Sequence, residues 1–300
     1  MIHVSAKSKN KIRTHSILAY IMLAVLILYG VSLIVPFLWG LLTSLKDRND
    51  FADNLFGLPQ VWRFSNYGTA FKYFYVDVYK SDGSTSTVYF YQMFLNSFLY
   101  NLGVALIGNF VNMCASYLCG VYDNKASRSI VSVIIITIIM PIVGALPSTL
   151  VVYRALGFYD NMIGMWVVAA GFGGMNFLIY RGLFRGVSRA YMEAAAIDGA
   201  NRLRIMFTIM LPFGLNMYFI FVLLSFIGGW NDYTSALLYL PSYPTAAYGL
   251  YLFSRSTSNA TSSVPMRMAG CFLMCIPVLV IFFIFKDKLI GNVAVGGLKG

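Results

Sequence analysis

The sequence predicts an all-α polytopic membrane protein, and composition, hydropathy and charge placement each point to this class. Apolar side chains make up 59% of the 300 residues, charged side chains make up 11%, and the mean hydropathy is +0.71. Soluble domains have about 45–50% apolar and about 25% charged residues. A soluble fold would lack the polar side chains needed to cover its surface, whereas lipid requires no such cover.

Six apolar runs are long enough to cross a bilayer, which takes roughly 20 mostly apolar residues. They are residues 17–45, 93–121, 130–153, 162–180, 205–229 and 268–285. The first run has no small-residue cleavage site after a short apolar core, so we expect an anchor and not a signal peptide. Six transmembrane helices place both termini on the same side of the membrane.

Lysine and arginine residues set the orientation, because cytoplasmic loops carry an excess of them. With the N-terminus inside, fourteen of the 22 Lys and Arg lie in inner segments, and five of the other eight lie in one long outer loop, residues 46–92. The sequence therefore predicts that both termini are cytoplasmic. The net charge of +11 follows from this topology and does not indicate a nucleic-acid partner.

The spans divide the chain into a series of segments. We expect a cytoplasmic N-terminal tail (1–16), a first transmembrane helix (17–45), an extracytoplasmic loop (46–92), a transmembrane domain (93–286) and a cytoplasmic C-terminal tail (287–300). Within the outer loop, Tyr75–Lys80 and Thr87–Tyr91 are rich in Val, Tyr and Phe, and a turn signal separates them. This pattern predicts a small extracytoplasmic β-hairpin. It would cover the helix bundle or contact an extracytoplasmic partner, and the sequence leaves both roles open.

Small and polar residues form one stripe along the second span. They recur at spacings of three and four residues and are Asn101, Ala105, Gly108, Asn109, Asn112 and Ser116. Because lipid offers polar side chains no partners, the stripe is expected to face other helices or an aqueous path. Helix packing and a solute pathway both remain open.

The sequence lacks the usual groups of catalysis and ion coupling. It has no Gly-x-x-x-x-Gly-Lys-Ser/Thr loop, no Gly-x-Ser-x-Gly motif, and no His, Lys or carboxylate within a predicted span. Its four cysteines lie in apolar runs away from the two histidines, so no metal site is indicated. A polytopic protein of this kind is expected to move a solute with energy supplied by another chain.

The inner segment 188–212 is where such energy would enter. Ser188 is placed to cap a short helix that ends near Ile197, and Gly199 permits a sharp turn after it. This helix carries Glu193, which is the one glutamate in the sequence, followed by three alanines. A second helix then leads to Leu211, where the fifth span begins.

These residues resemble the EAA loop of permease subunits of bacterial ABC importers. The loop matches at Glu193-Ala-Ala, Asp198-Gly-Ala and Ile209-Met-Leu-Pro212. Four further stretches are similar to the carbohydrate permeases among them: Trp230-Asn-Asp232, Asn96-Ser97, Gly296-Gly-Leu-Lys-Gly300 and Leu58-Pro-x-x-Trp62. The resemblance implies a type I importer fold in a bacterial cell membrane. The hairpin departs from it and is interpreted as an insertion.

The resemblance also implies partners and roles. A second permease would form a heterodimer with this chain, two ATPase subunits would bind ATP and magnesium, and an extracytoplasmic sugar-binding protein would deliver the cargo. Glu193 would contact an ATPase subunit, Ala194 and Ala195 would fill its cleft, and Asp198 and Gly199 would form the turn. The chain itself would be a transport subunit embedded in the lipid bilayer, with no cofactor and no enzymatic activity.

The sugar path is expected to follow the polar stripe, because amides suit sugar hydroxyls and aromatic faces suit sugar C–H groups. Its residues would be Asn101, Asn109 and Asn112, with Trp230, Asn231 and Tyr233 at the outer mouth. A permease for a non-sugar solute is the main alternative. A polytopic membrane enzyme would need clustered carboxylates or histidines, and a passive channel or scaffold would not explain the EAA string.

Overall fold

The computed structural model describes residues 17–79, 83–140 and 144–296, with side chains described between residues 19 and 283. The N-terminal tail, the turn residues Ser81 and Asp82, and residues 297–300 of the C-terminal motif lie outside the described residues. The described helices are, in chain order, α1 (Ile17–Ser44), α2 (Arg48–Asp53), α3 (Ser65–Tyr73), α4 (Phe90–Val121), α5 (Lys125–Ile139), α6 (Leu146–Ala155), α7 (Met162–Ala169), α8 (Gly174–Gly186), α9 (Ala190–Ile197), α10 (Arg202–Ile205), α11 (Leu211–Trp230), α12 (Thr234–Tyr239), α13 (Ala246–Ser254) and α14 (Val264–Gly296). A π-helical turn, Met206–Met210, joins α10 to α11, and the strands are β1 (Tyr75–Tyr79) and β2 (Thr85–Tyr89).

Four helical segments of the described chain are long and apolar enough to cross a membrane. They are Ala19–Ser44, Phe90–Val121, Arg202–Trp230 and Val264–Phe283, which correspond to the first, second, fifth and sixth predicted spans. The last helix continues to Gly296, so the predicted C-terminal tail begins as helix.

The fourth predicted span is helical but broken. Helices α7 and α8 are apolar enough to cross together, yet they are bent by 49°. At the break, Gly173 and Gly174 have φ values of +150° and +71°, which side chains rarely adopt. If this bent pair is one span, the described chain has five candidate spans.

The third predicted span is wrong as a single helix. Residues 130–153 are divided between α5 and α6, and Pro147 lies in the first turn of α6, where its missing N–H costs little. Helix α5 has 15 residues and is therefore about 22 Å long, whereas the hydrocarbon core of a bilayer is about 30 Å thick. The count of six spans stays a prediction.

The segment between α1 and α4 folds onto the start of α4. Strands β1 and β2 pair antiparallel with Tyr75 opposite Tyr89. Val76 and Val78 of β1 are buried in the same apolar cluster as Phe90 at the beginning of α4. One face of the hairpin therefore rests on the bundle. Its position outside the membrane and its origin as an insertion stay predictions.

Helix α4 is the central element and contacts α7, α8, α11 and α13. It has 32 residues and is therefore about 48 Å long. One buried cluster, which includes Val76 and Trp230, lies at its N-terminal end, and a second, which includes Tyr117 and Ala195, lies at its C-terminal end. The hairpin and α9 thus lie at opposite ends of the bundle.

Helix α1 packs mainly against α14 and leaves most of its surface exposed. The rings of Phe37 and Phe272 meet edge-on at 5.1 Å between centroids. No residue from 19 to 39 is buried. An apolar face of this size needs lipid or another protein chain to cover it.

Candidate functional site

The segment 188–212 forms α9, a tight turn and α10. Ser188 Oγ accepts a hydrogen bond from the Ala190 amide at 3.3 Å, and α9 then runs to Ile197. Glu193 lies in the first turn, where a negative charge suits the positive end of the helix dipole. The prediction of a short helix ending at Ile197 is confirmed.

The turn after α9 depends on Gly199. Its φ of +81° lies in the left-handed region, which confirms the predicted need for glycine. The Ala200 amide donates to the Ala195 carbonyl at 2.9 Å, and the Gly199 amide donates to the Ala196 carbonyl at 3.1 Å. This is the Schellman pattern of helix termination, which satisfies two carbonyl groups at the helix end. The direction of the chain after α9 is therefore fixed by backbone hydrogen bonds.

The two faces of α9 have different environments. Ala195 is 8% exposed and belongs to the buried cluster that contains Ile205 and Met206, whereas Glu193 and Ala194 are exposed. Consecutive residues of a helix lie about 100° apart, so Ala194 and Ala195 point in different directions. The expectation that both alanines fill a partner's cleft stays a prediction, and the structure supports it more directly for the exposed Ala194 than for Ala195. Ala195 packs α9 against the bundle, and Ala194 faces outward.

Ile197 is a candidate contact that the sequence analysis did not single out. It ends α9 and its side chain is 86% exposed, next to Asp198, which is also exposed. The end of α9 thus presents an exposed apolar side chain beside an exposed carboxylate. The sequence feature that could have identified this residue is an isoleucine immediately before the Asp-Gly turn.

The polar stripe of α4 is largely hydrogen-bonded to neighbouring helices. Asn109 is 4% exposed, and its Nδ2 donates to Ser225 Oγ at 3.0 Å and to the Ala105 carbonyl at 2.8 Å. Its Oδ1 accepts from Asn176 Nδ2 at 3.3 Å. One amide thus links α4, α8 and α11. Asn176 and Ser225 belong to this centre, and the sequence analysis missed both.

The other two stripe asparagines occupy different sites. Asn112 Oδ1 accepts a hydrogen bond from the Gly173 amide at 2.8 Å and so holds the break between α7 and α8. Asn101 is 2% exposed, and its Nδ2 has no hydrogen-bond partner among the described residues. A methyl group on Gly229 of α11 would collide with the Asn101 amide, so these helices approach closely there.

The Trp230-Asn231-Asp232 motif has local structural roles. Trp230 is 1% exposed, and its Nε1 donates to the Met274 carbonyl at 3.3 Å. Asn231 Nδ2 donates to a carbonyl in the last turn of α11, and Asp232 Oδ1 accepts from the Thr234 amide at the start of α12. Tyr233 is 39% exposed and stacks on another tyrosine ring. The structure therefore does not bring Trp230 to the surface with Asn231 and Tyr233.

Comparison with known proteins identifies the family. The sequence profile of the binding-protein-dependent transport system inner membrane component matches residues 112–294, more than half of the chain. The chain belongs to this family. With its four to five candidate spans, this inner membrane component is a multi-pass protein of the cell membrane and a transport subunit.

Two curated relatives match nearly the whole component. The diacetylchitobiose uptake system permease protein NgcG of Streptomyces coelicolor is 24% identical over 284 residues, covering 92% of this chain and 87% of the relative. The osmoprotective compounds uptake permease protein GgtD of Synechocystis is 24% identical over 281 residues, covering 89% and 90% respectively.

A solved structure has the same fold. It is a chain of the bacterial ABC transporter involved in the import of the acidic polysaccharide alginate, with a TM-score of 0.74 and 19% identity. The match covers 92% of this chain and 97% of the other. The inner membrane component therefore has the fold of an ABC importer permease, as the resemblance implied.

Proposed function

We propose that this inner membrane component is a subunit of an ATP-driven importer whose cargo is an oligosaccharide. One full-length relative takes up diacetylchitobiose, and the structural neighbour takes part in alginate import, and both cargoes are built of linked sugars. The Trp230-Asn-Asp232 stretch and the C-terminal motif support the same assignment.

The observation that carries the proposal is the geometry of α9. Glu193 and Ala194 are exposed on one face, Ala195 is buried in the bundle, and Gly199 fixes the exit direction. A short helix that is exposed on one face and packed against the bundle on the other moves as a rigid body with the spans. The sequence has no phosphate-binding loop, so α9 would receive the motion of an ATPase subunit.

The proposed assembly contains three kinds of partner. A second permease completes a heterodimer, and its contact would cover exposed apolar surface such as that of α1. Two ATPase subunits bind ATP and magnesium, and one of them docks on α9, with Asp198 beside the contact. A sugar-binding protein delivers cargo at the end of the bundle that carries the hairpin.

We place the sugar path along the polar stripe of α4. Asn109 and Asn112 each hydrogen-bond to groups of α8, α11 or the break before α8. When these helices move apart in the transport cycle, the amides lose their helix partners and face the opening. They would then offer hydrogen bonds to sugar hydroxyls, while Asn231 and Tyr233 are exposed at the hairpin end.

A non-sugar cargo is the second candidate, because GgtD is named for osmoprotective compounds. The two candidate cargoes are distinguished by a competition experiment. Unlabelled oligosaccharides or small osmoprotectants are added, and the inhibition of solute uptake by the assembled transporter is measured. Competition by oligosaccharides alone supports the sugar assignment, and competition by osmoprotectants alone overturns it.

Replacement of Gly199 by valine tests the role of α9. A β-branched residue in the left-handed region costs about 1–2 kcal/mol and redirects the chain after α9. We expect the variant to insert normally into the membrane. The complex should then either lose its ATPase subunits or hydrolyse ATP without sugar uptake. Pull-down of the ATPase and sugar uptake are measured in the same cells.

Gly182→Val is the matched control, because Gly182 in α8 has no atom within 4 Å of an added methyl group and no positive φ. It should keep both ATPase binding and uptake. Glu193→Ala should weaken binding only modestly, since an exposed ion pair contributes about 0.2–1 kcal/mol. If Gly199→Val retains wild-type binding and uptake, α9 is not the coupling element.

A further inference from the structure

A cavity lies at the α9 end of the bundle, where α4 ends, α5 begins and α10 passes. Its volume is about 370 Å³, within the range of about 300–1,000 Å³ that is usual for small-molecule sites. Leu118, Ile130 and Met206 form apolar wall, and Tyr122 and Arg202 contribute polar groups. We call it the α4–α5–α10 cavity.

The surroundings of this cavity are positively charged. Residues 123–128 and 181–204 hold seven Lys or Arg and three Asp or Glu. Asp123 pairs with Arg128 at 2.8 Å, which lowers the pKa of that carboxyl, and the charges of Arg185 and Arg181 lower it further. The one carboxylate of residues 123–128 is thus already neutralised.

Arg202 keeps its charge available to a ligand. Its guanidinium carbon lies 5.9 Å from the centroid of the Tyr122 ring, a cation–π contact that orients the group. Among the described residues, no carboxylate lies within ion-pair distance of Arg202. An anion entering the cavity would therefore meet an oriented and uncompensated cation.

The start of α5 adds amide donors at the edge of the cavity. Ala126, the second residue of α5, lines the cavity, and its amide precedes the first helical hydrogen bond, from the Arg128 amide to the Asn124 carbonyl. The Ser127 amide is already bonded to Asn124 Oδ1 at 2.8 Å, so the donors left are the Lys125 and Ala126 amides. Amides at the start of a helix favour phosphate.

We propose that the α4–α5–α10 cavity binds an anionic phospholipid. The phosphate accepts hydrogen bonds from the Arg202 guanidinium and from the Lys125 and Ala126 amides at the start of α5. An acyl chain lies along Leu118, Ile130 and Met206. The apolar wall and its position beside two membrane helices favour a lipid over free phosphate.

This site bears on coupling because Arg202 follows Gly199 by three residues. A lipid held between α4 and α10 fixes the helix that leads from α9 into the fifth span. Transport should then depend on anionic lipid even when the cargo and all partner subunits are unchanged. The inference goes beyond the proposed cargo and does not depend on it.

The test compares lipid retention by the assembled transporter, purified with its ATPase subunits. It is reconstituted in nanodiscs of phosphatidylcholine or of equal parts phosphatidylcholine and phosphatidylglycerol, and retained lipid is counted by native mass spectrometry. Arg202→Gln should reduce retained phosphatidylglycerol about fivefold, since one cation near a membrane surface contributes ~1 kcal/mol. ATP-driven uptake should lose its stimulation by phosphatidylglycerol.

Arg204→Gln is the matched control, because Arg204 lies on the same helix and does not line the cavity. It should retain phosphatidylglycerol at the wild-type level. Ala126→Leu provides a second variant that occupies the cavity without removing a charge, and it should also lower retention. Equal retention by wild type and Arg202→Gln overturns the site, and displacement by inorganic phosphate alone overturns the lipid assignment.

Discussion

Ile197 shows what a single exposed side chain contributes on α9. It is 86% exposed at the tip of the helix, whereas Ala195 two residues earlier is 8% exposed and holds the helix in the bundle. In the proposed assembly, an ATPase subunit covers Ile197 and removes its apolar surface from water. This contact is dry and needs no charge, so it should contribute more than the exposed Glu193.

Ile197→Ala should therefore weaken ATPase binding more than Glu193→Ala. Loss of a buried Ile side chain costs about 1.5–3 kcal/mol, which lowers affinity at least about tenfold. Titration of the detergent-solubilised permease pair with ATPase subunits measures the change. Leu156→Ala should leave affinity unchanged, because Leu156 is exposed and follows Tyr153, which packs with Tyr100 near the start of α4. Equal loss in the Leu156 and Ile197 variants would remove Ile197 from the contact.

Asn109 tests whether the polar stripe transports sugar or only packs helices. Its amide makes three hydrogen bonds, one within α4 and two that link α4 to α8 and α11. Asn109→Ala should lower stability by about 0.6–1.7 kcal/mol per interhelical bond lost, and sugar uptake should fall further than the loss of folded protein explains. Asn216→Ala, on an exposed face of α11, is the control. Uptake that tracks the amount of folded protein leaves packing as the better account.

The role of a single residue was predictable from the sequence only where the local backbone conformation determines that role. Gly199 was identified because an Asp-Gly turn after a helix needs a left-handed residue, and its φ of +81° agrees. Trp230 was expected at an outer mouth, yet it is buried against Met274. Which face of a helix meets its own bundle depends on distant residues, and the motif alone does not contain that information.

At the scale of elements, the break between α7 and α8 is the least expected feature. Hydropathy counts apolar residues but does not detect a bend in the backbone. Residues 162–180 were therefore predicted as one continuous span. The glycines at 173 and 174 carry no signal in a hydropathy count. In the structure they have positive φ values, and Asn112 holds the Gly173 amide.

Gly174→Ala should destabilise the protein because its φ of +71° is unfavourable for a side chain. The expected cost is about 1–2 kcal/mol, although no atom lies within 4 Å of the added methyl group. Thermal unfolding in detergent gives the difference. Gly182→Ala, within α8, should be neutral or stabilising by up to about 1 kcal/mol. Equal stability of the two variants would show that the bend does not depend on this backbone conformation.

For the whole molecule, composition and span hydropathy predicted a helical membrane protein, and the EAA string predicted its family. The membrane class follows from the apolar composition, and the family follows from a sequence motif, and a single sequence contains both. The division of residues 130–153 into α5 and α6 was missed, because hydropathy also ignores where a helix starts and stops. The exposed surface of α1 likewise depends on partners that a single sequence does not contain.

Topology is the property of the whole molecule that charge alone predicts. The basic inner segments predict that both termini are cytoplasmic and that the hairpin lies outside. Cysteines are introduced singly at Ser84 in the hairpin and at Ser8 in the N-terminal tail, in a chain whose four native cysteines are replaced. A membrane-impermeant maleimide applied to intact cells should label the Ser84 variant and not the Ser8 variant.

A third variant, with cysteine at Ser188 beside α9, extends the same test to the proposed coupling end. Because α4 runs between the hairpin and α9, these two sites must lie on opposite sides if α4 crosses the membrane once. Ser188 should be labelled only after the cells are opened. Labelling of Ser188 and Ser84 together in intact cells would place α9 outside, where no ATPase driven by cytoplasmic ATP could reach it. The charge argument and the coupling proposal would then fail together, while the fold and the family would be unaffected.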